Sequence, residues 1–171
     1  WGVQFCDALD HARQKGITPH RDIKPDNIMV TREGQLKVSD FDLVDMGDLI
    51  RAPGKTPEEK GRTDDASFLK TVDGKFVAGT PPWMAPEQFL GQSDVRSDIY
   101  SFGIVMYQMI GKGQLPFYTK NGDWQTAHST IAPPVLDTPI WPVIERCLAK
   151  NPADRFGGKT PETGFFEMRQ A

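Results

Sequence analysis

Eight consecutive residues, His20-Arg21-Asp22-Ile23-Lys24-Pro25-Asp26-Asn27, and the later triplet Asp40-Phe41-Asp42 hold the groups best suited to chemistry. Asp22 is a carboxylate able to accept a proton from an attacking hydroxyl. Lys24, two residues on, is a cation able to neutralise a phosphoryl group in transfer. Asn27 and Asp40 offer hard oxygen atoms of the kind magnesium prefers, and magnesium takes few ligands from protein when phosphates supply others. A base, a cation and two metal-seeking groups within twenty-one residues suit phosphoryl transfer from a nucleotide carried on magnesium. Asp and Asn also favour turns, so plain turn or capping roles for Asp22, Asn27 and Asp40 are the competing reading.

The neighbouring residues supply elements to position these groups. Ile28-Met29-Val30 and Leu36-Lys37-Val38 are short aliphatic runs separated by Thr31-Arg32-Glu33-Gly34-Gln35, which reads as a β-hairpin. If residue 28 lies opposite residue 38, Asn27 and Asp40 converge at the open end. Pro25 limits the freedom of the loop before the first strand. Val3, Phe5, Cys6, Leu9 and Ala12 follow helical spacing, with Lys15-Gly16 as a basic last turn and stop. From Asp98 to Ile110 apolar residues fall on nearly every face, which predicts a buried helix with Ser97 as N-cap. Trp141 to Lys150 is helical again. Residues 45 to 78 read as a long mobile loop, and residues 114 to 139 resist assignment. Gly111-Lys112-Gly113 could suggest a phosphate loop, but it follows a helix rather than a strand.

The motifs, taken in order, resemble the C-terminal lobe of a eukaryotic-type (Hanks-type) serine/threonine protein kinase. His20-Arg21-Asp22…Asn27 resembles the catalytic loop, and Asp40-Phe41-Asp42 stands where the family has Asp-Phe-Gly. Thr80 to Glu87 resembles the stretch ending in Ala-Pro-Glu, Ser97 to Gly103 the start of the central helix, and Cys147 to Phe156 the late arginine motif. The implied fold is kinase-like α+β: a mainly helical lobe with a small hairpin carrying the catalytic and metal-binding loops, and no N-terminal lobe within residues 1–171. The implied parts are a catalytic loop at 20–27, an activation segment at 40–87 and a central helix at about 97–111.

The resemblance also implies roles. Asp22 and Lys24 become catalytic, Asn27 and Asp40 hold magnesium (with manganese as a substitute), and Lys24, Asn27 and Asp40 face ATP. Thr80 belongs to the substrate platform, its hydroxyl expected to meet Asp22 and Lys24, and this pairing favours Ser/Thr over Tyr acceptors. His20 braces the metal-binding segment, Asp98 braces the backbone of the catalytic loop, and Glu87 pairs with Arg155. Arg21 is expected to meet a phosphorylated activation loop. Thr71 is the leading phosphorylation site there, ahead of Thr56, Thr63 and Ser67. Asp42 departs from the family's glycine, which bears on how the segment switches.

Composition agrees with a single globular unit. With 171 residues and a net charge of −3, nothing points globally to nucleic acid or an anionic membrane. No apolar run reaches the ~20 residues of a membrane helix. Cys6 and Cys147 form no disulfide framework, so a reducing, cytoplasmic setting is expected. His11 and His128 show no partner and are expected at the surface. The start at Trp1, already inside a helical pattern, reads as an excerpt of a longer protein. A Gly-rich loop over the nucleotide, a strand lysine and its helix glutamate are not found, so the missing N-terminal lobe is itself an expected partner, beside a protein substrate. Alone, residues 1–171 are expected to transfer negligible phosphate. The alternative is a pseudokinase-like or truncated scaffolding module. A small-molecule kinase is a third reading, opposed by the Thr80 to Glu87 platform.

Overall fold

The computed structural model describes residues 1–41, 68–72 and 75–171; for residues 68–72 and 75–76 the description is of the backbone. Asp42, Thr56, Thr63 and Ser67 lie outside the described residues. Thr71 falls in a strand, with its side chain likewise outside.

Helix α1 (Gly2–Gln14) buries Phe5, Cys6, Leu9 and Ala12, while Val3, expected on the same face, is 49% exposed. Strands β1 (Ile28–Val30) and β2 (Leu36–Val38) pair antiparallel with Ile28 opposite Val38, the expected register. Gln4 on α1 accepts a hydrogen bond from the Leu36 N–H at 2.6 Å, which ties the hairpin to the helix. Leu36 packs into the same core.

A second antiparallel hairpin, β3 (Phe68–Val72) and β4 (Lys75–Gly79), replaces part of the loop expected over 45–78. Its signal was in the sequence: Asp73-Gly74 between Phe68-Leu69-Lys70-Thr71-Val72 and Lys75-Phe76-Val77, a two-residue Asp-Gly connection flanked by strand formers. The surrounding charges and glycines masked that short pattern.

Helix α2 (Val95–Ile110) is the centre of the molecule, with eleven buried residues spread around its circumference. On one side Phe102 stacks on Phe5 at 3.7 Å between ring centroids, within a core that includes Leu9, Ile99 and Phe165. On the other, Tyr100, Ile104 and Tyr107 pack with Phe117, Ile144 and Leu148. Each such side chain contributes roughly 1.5–3 kcal/mol on burial, so α2 is held from both sides. Gly103 permits the closest approach: a Cβ there would lie 2.7 Å from Cys147 Cβ.

The start of α2 differs from expectation. Asp94, not Ser97, is the N-cap, accepting from the Arg96 N–H at 2.8 Å. Ser97 sits three residues inside, and its hydroxyl accepts from the Asp94 N–H at 3.3 Å, a capping box with Ser in the returning position.

Helix α3 (Trp124–Thr130) lies within the stretch that resisted assignment, capped by Asp123, which accepts from the Thr126 N–H. Seven residues carry too little periodicity to announce a helix. Helix α4 (Trp141–Cys147) ends three residues short of the expected Lys150, and α5 (Gly164–Gln170) packs against α1. Short 3-10 turns open at Pro25, Pro81, Pro86, Pro152 and Pro161. Proline suits a first helical position because its φ is preset and its missing N–H is not required there.

Candidate active site

The residues from His20 to Asn27 form a loop fastened from below by α2. Asp98, in the first turn of that helix and 1% exposed, accepts from the backbone N–H of His20 at 2.8 Å and of Arg21 at 2.9 Å. Burial pushes the Asp98 carboxyl up to about 6, against the opposing pull of the His20 ring and the two backbone N–H groups. Arg21 adopts a left-handed backbone, φ 73°, a conformation that a non-glycine residue keeps only when its surroundings hold it. Ile23 anchors the next step of the loop in the core.

His20 is fully buried, and its ring bridges the loop and the second strand. Nδ1 accepts from the Asp22 N–H at 3.3 Å, which places the ring proton on Nε2 to donate to the Ser39 carbonyl at 2.9 Å. The Phe41 ring lies 4.5 Å from the imidazole. His20 therefore braces the strand end that leads to Asp40.

Asp22, Lys24 and Thr80 meet although Thr80 is 58 residues from Asp22 in sequence. The Thr80 hydroxyl donates to Asp22 Oδ1 at 2.7 Å, Lys24 Nζ donates to Thr80 Oγ1 at 3.2 Å, and Lys24 Nζ lies 3.1 Å from Asp22 Oδ2. All three side chains are buried. Of the three Lys24 donors, two are thus engaged.

Asn27 closes the loop from its far end. Its amide nitrogen donates to the Asp22 carbonyl at 2.8 Å and reaches Asp22 Oδ2 at 3.4 Å. The nitrogen is the atom committed to the loop, so the side-chain oxygen is the one left for a cation. The Ser39 N–H donates to the Asn27 carbonyl at 3.0 Å, extending the β1–β2 pairing by one step and setting Asp40 beside this end of the hairpin. Asp40 is exposed, with φ 63°. Among the described residues no group of three or more His, Cys, Asp or Glu side chains could hold a metal by itself. Two oxygen-bearing side chains at one strand end fit magnesium that takes its other ligands from phosphate and water.

The Glu87 end of the segment is fixed separately. Arg155, with no exposed surface, makes a forked pair with Glu87 at 2.7 and 2.9 Å. Its remaining N–H groups donate to the carbonyls of Ala149, Arg96 and Lys150 at 2.8, 2.9 and 3.1 Å. Ser97 donates to Glu87 Oε1 at 2.7 Å.

His128 corrects an expectation: it is fully buried, not at the surface. Tyr100 Oη lies 3.0 Å from its Nδ1, and the rings of Phe117, Phe89 and Trp124 surround it at 5.0 to 6.0 Å. Burial first, and then the Lys150 charge, push the imidazole down to about 3. His11 is exposed as expected. The Gly111-Lys112-Gly113 stretch follows the end of α2, where the Gly111 N–H caps the Tyr107 carbonyl.

A family model described as the protein kinase domain matches residues 1–163. The chain belongs to that family. The kinase domain is 37% identical over 166 residues to serine/threonine-protein kinase Pkn1 of Myxococcus xanthus, covering 90% of this chain and 21% of that protein. It is 31% identical over 187 residues to serine/threonine-protein kinase PknD of Chlamydia trachomatis, covering 98% of this chain and 18% of the relative. With serine/threonine-protein kinase PksC of Streptomyces coelicolor, identity is 33% over 162 residues, covering 87% and 25%. The chain thus spans between a fifth and a quarter of these relatives, or slightly less.

Within the kinase domain the structure adds roles the sequence did not single out. The Ser39 carbonyl receives His20, Ser97 orients Glu87, and Gln88 is 1% exposed beside the His20–Asn27 loop. No local pattern marks them, since each acts through a partner distant in sequence. The position of Gln88 directly after the Thr80 to Glu87 stretch was the one available hint.

Proposed function

We propose that this chain carries the catalytic half of a protein kinase that transfers phosphate from magnesium-ATP to Ser or Thr hydroxyls of proteins. The observation that carries this reading is the contact among Asp22, Lys24 and Thr80, which joins a base, a cation and the platform of the acceptor. Asp22 accepts the proton of the acceptor hydroxyl while the new oxygen–phosphorus bond forms and the bond to the leaving nucleotide breaks. Thr80 fixes the rotation of the Asp22 carboxylate, and Asn27 holds it from the opposite side. Lys24 retains one donor for a phosphoryl oxygen, which favours charge building up there. Asn27 and Asp40 would hold magnesium, which when bound neutralises the phosphate oxygens of the nucleotide. Arg21 and Thr71 are assigned to control of the segment by phosphorylation.

The same reading makes residues 1–171 the C-terminal lobe of such a domain. The Gly-rich loop and strand lysine that complete a kinase nucleotide cleft are not among these residues. Activity is therefore expected of the full-length protein and is negligible for residues 1–171 alone.

The test is Asp22→Ala in the full-length protein, assayed with magnesium-ATP and a Ser/Thr peptide. Turnover should fall by about 10²–10⁴-fold in a variant that is still folded at the assay temperature. Unchanged turnover in the folded variant would rule out Asp22 as the base, and a wild-type protein that binds its partner without transferring phosphate would favour a scaffold.

A further inference from the structure

The buried amide of Gln88 stands apart from the groups already given a role. Its oxygen accepts from the N–H of Ala85, the N-cap of its own 3-10 turn (Pro86–Leu90), at 2.8 Å. Its nitrogen donates to the Arg21 carbonyl at 2.9 Å and reaches the Ala78 carbonyl at 3.4 Å. One side chain thus touches the residue before Asp22, the strand that leads to Thr80, and the turn that carries Glu87.

The Arg21 carbonyl belongs to the peptide plane that carries Asp22. The neighbouring plane is gripped through the Arg21 N–H by Asp98 at 2.9 Å. Arg21 lies in the left-handed region, φ 73°, so its two planes are not held there by intrinsic preference. Gln88 holds the carbonyl side of the second plane, whose N–H side, that of Asp22, donates to His20 Nδ1 at 3.3 Å. Turning that plane would swing Asp22 away from Thr80, 2.7 Å distant. Gly79, with φ 134°, makes room for the clamp: a Cβ there would stand 2.8 Å from the Arg21 carbonyl oxygen and 3.3 Å from Gln88 Nε2.

We propose that Gln88 is a positioning residue for phosphoryl transfer, setting the Asp22 carboxylate by clamping the Arg21–Asp22 peptide and coupling it to the segment that ends in Thr80. This rests on the phosphoryl-transfer reading above. A buried neutral amide does this because it donates to two carbonyls and accepts from one N–H at once. Glutamate in its place keeps the acceptor for Ala85 and turns the donor into a second oxygen facing two carbonyls.

The experiment uses the full-length protein with magnesium-ATP and a Ser/Thr peptide, comparing Gln88→Glu with Asp22→Asn, each assayed well below its melting temperature. Gln88→Glu should lower kcat by about 10- to 100-fold and leave KM for ATP within about twofold, because the nucleotide contacts do not pass through the clamp. If the wild-type protein transfers no phosphate, the phosphoryl-transfer reading fails, and if Asp22→Asn keeps wild-type turnover, the assignment of Asp22 as the base fails. If Asp22→Asn is inactive while Gln88→Glu keeps wild-type kcat, or loses activity only through KM, the positioning role alone is overturned. Should Gln88→Glu not fold, Gly79→Ala crowds the clamp directly, its Cβ standing 2.8 Å from the Arg21 carbonyl oxygen, 3.0 Å from Met84 Cγ and 3.3 Å from Gln88 Nε2. A lower kcat at unchanged KM for ATP is then expected, and wild-type kcat would overturn the proposal.

Discussion

Two ion pairs lie at either end of the stretch from Thr80 to Glu87, and they are finished differently. At the Glu87 end, all five N–H groups of Arg155 have acceptors: two carboxylate oxygens and three backbone carbonyls. At the Thr80 end, Lys24 spends two donors on Asp22 and Thr80, and the Asp22 carboxylate shares itself among Thr80, Lys24 and Asn27. A saturated pair has nothing left to offer a substrate and serves to lock chain segments together. An unsaturated pair keeps a donor in reserve, which is what the proposed transfer requires for an incoming phosphoryl oxygen. Burial alone does not separate a structural ion pair from a reactive one. The count of remaining donors and acceptors does.

That contrast can be broken by exchanging the readouts. Arg155→Met removes the fully buried cation and leaves the part-buried Glu87 carboxylate with Ser97 alone, so unfolding free energy should fall by about 3–5 kcal/mol, measured by urea denaturation. Lys24→Met leaves Asp22 with Thr80 and Asn27 as donors, so stability should fall by less, about 1.5–3 kcal/mol. Turnover of the full-length protein should nevertheless fall by about 10²–10³-fold. Equal losses of stability in the two variants would erase the distinction.

The smallest effect concerns pH and the packing beneath the segment. His128 is held neutral in the folded protein, with its imidazole pushed down to about 3. An unfolded chain protonates near 6.5, so below that value the unfolded state binds the extra proton and folding weakens as pH falls. The expected loss from this group between pH 7.5 and 5.5 is about 1.4 kcal/mol. Asp98, raised to about 6, works in the opposite sense, gaining stability as pH falls through that value. The diagnostic is therefore the difference between wild type and His128→Phe in denaturation at the two pH values. Equal pH dependence in both proteins would show that His128 is not neutral by burial.

Much of the site is legible along the chain because it is local. His20 to Asn27 lie in one loop, and the pairing of Ile28 with Val38 follows from two aliphatic runs around a glycine-containing turn. Central helix α2 is legible because its residues are apolar on all faces, though its true cap, Asp94, lies three residues before the expected Ser97. Asp and Ser are both good caps, and the capping box uses both, so the sequence does not say which comes first. Hairpin β3–β4 and helix α3 were missed because one is short among charged residues and the other has only two turns.

Residue types and spacing alone determined the chemistry on offer: a carboxylate, an ammonium group and two oxygen ligands on a loop and a hairpin. Tertiary structure decided which of them meet. Thr80 reaches Asp22 across 58 residues, Asp98 reaches His20 across 78, and Glu87 reaches Arg155 across 68. Helix α2 makes these meetings compatible, because its buried first turn holds Asp98 and Ser97 under the loop and the segment together. Local propensity acts over a few residues, whereas a buried polar group must find its partner wherever the fold brings one. The burial of His128 and the Gln88 clamp follow from that same requirement, which can be read only in three dimensions.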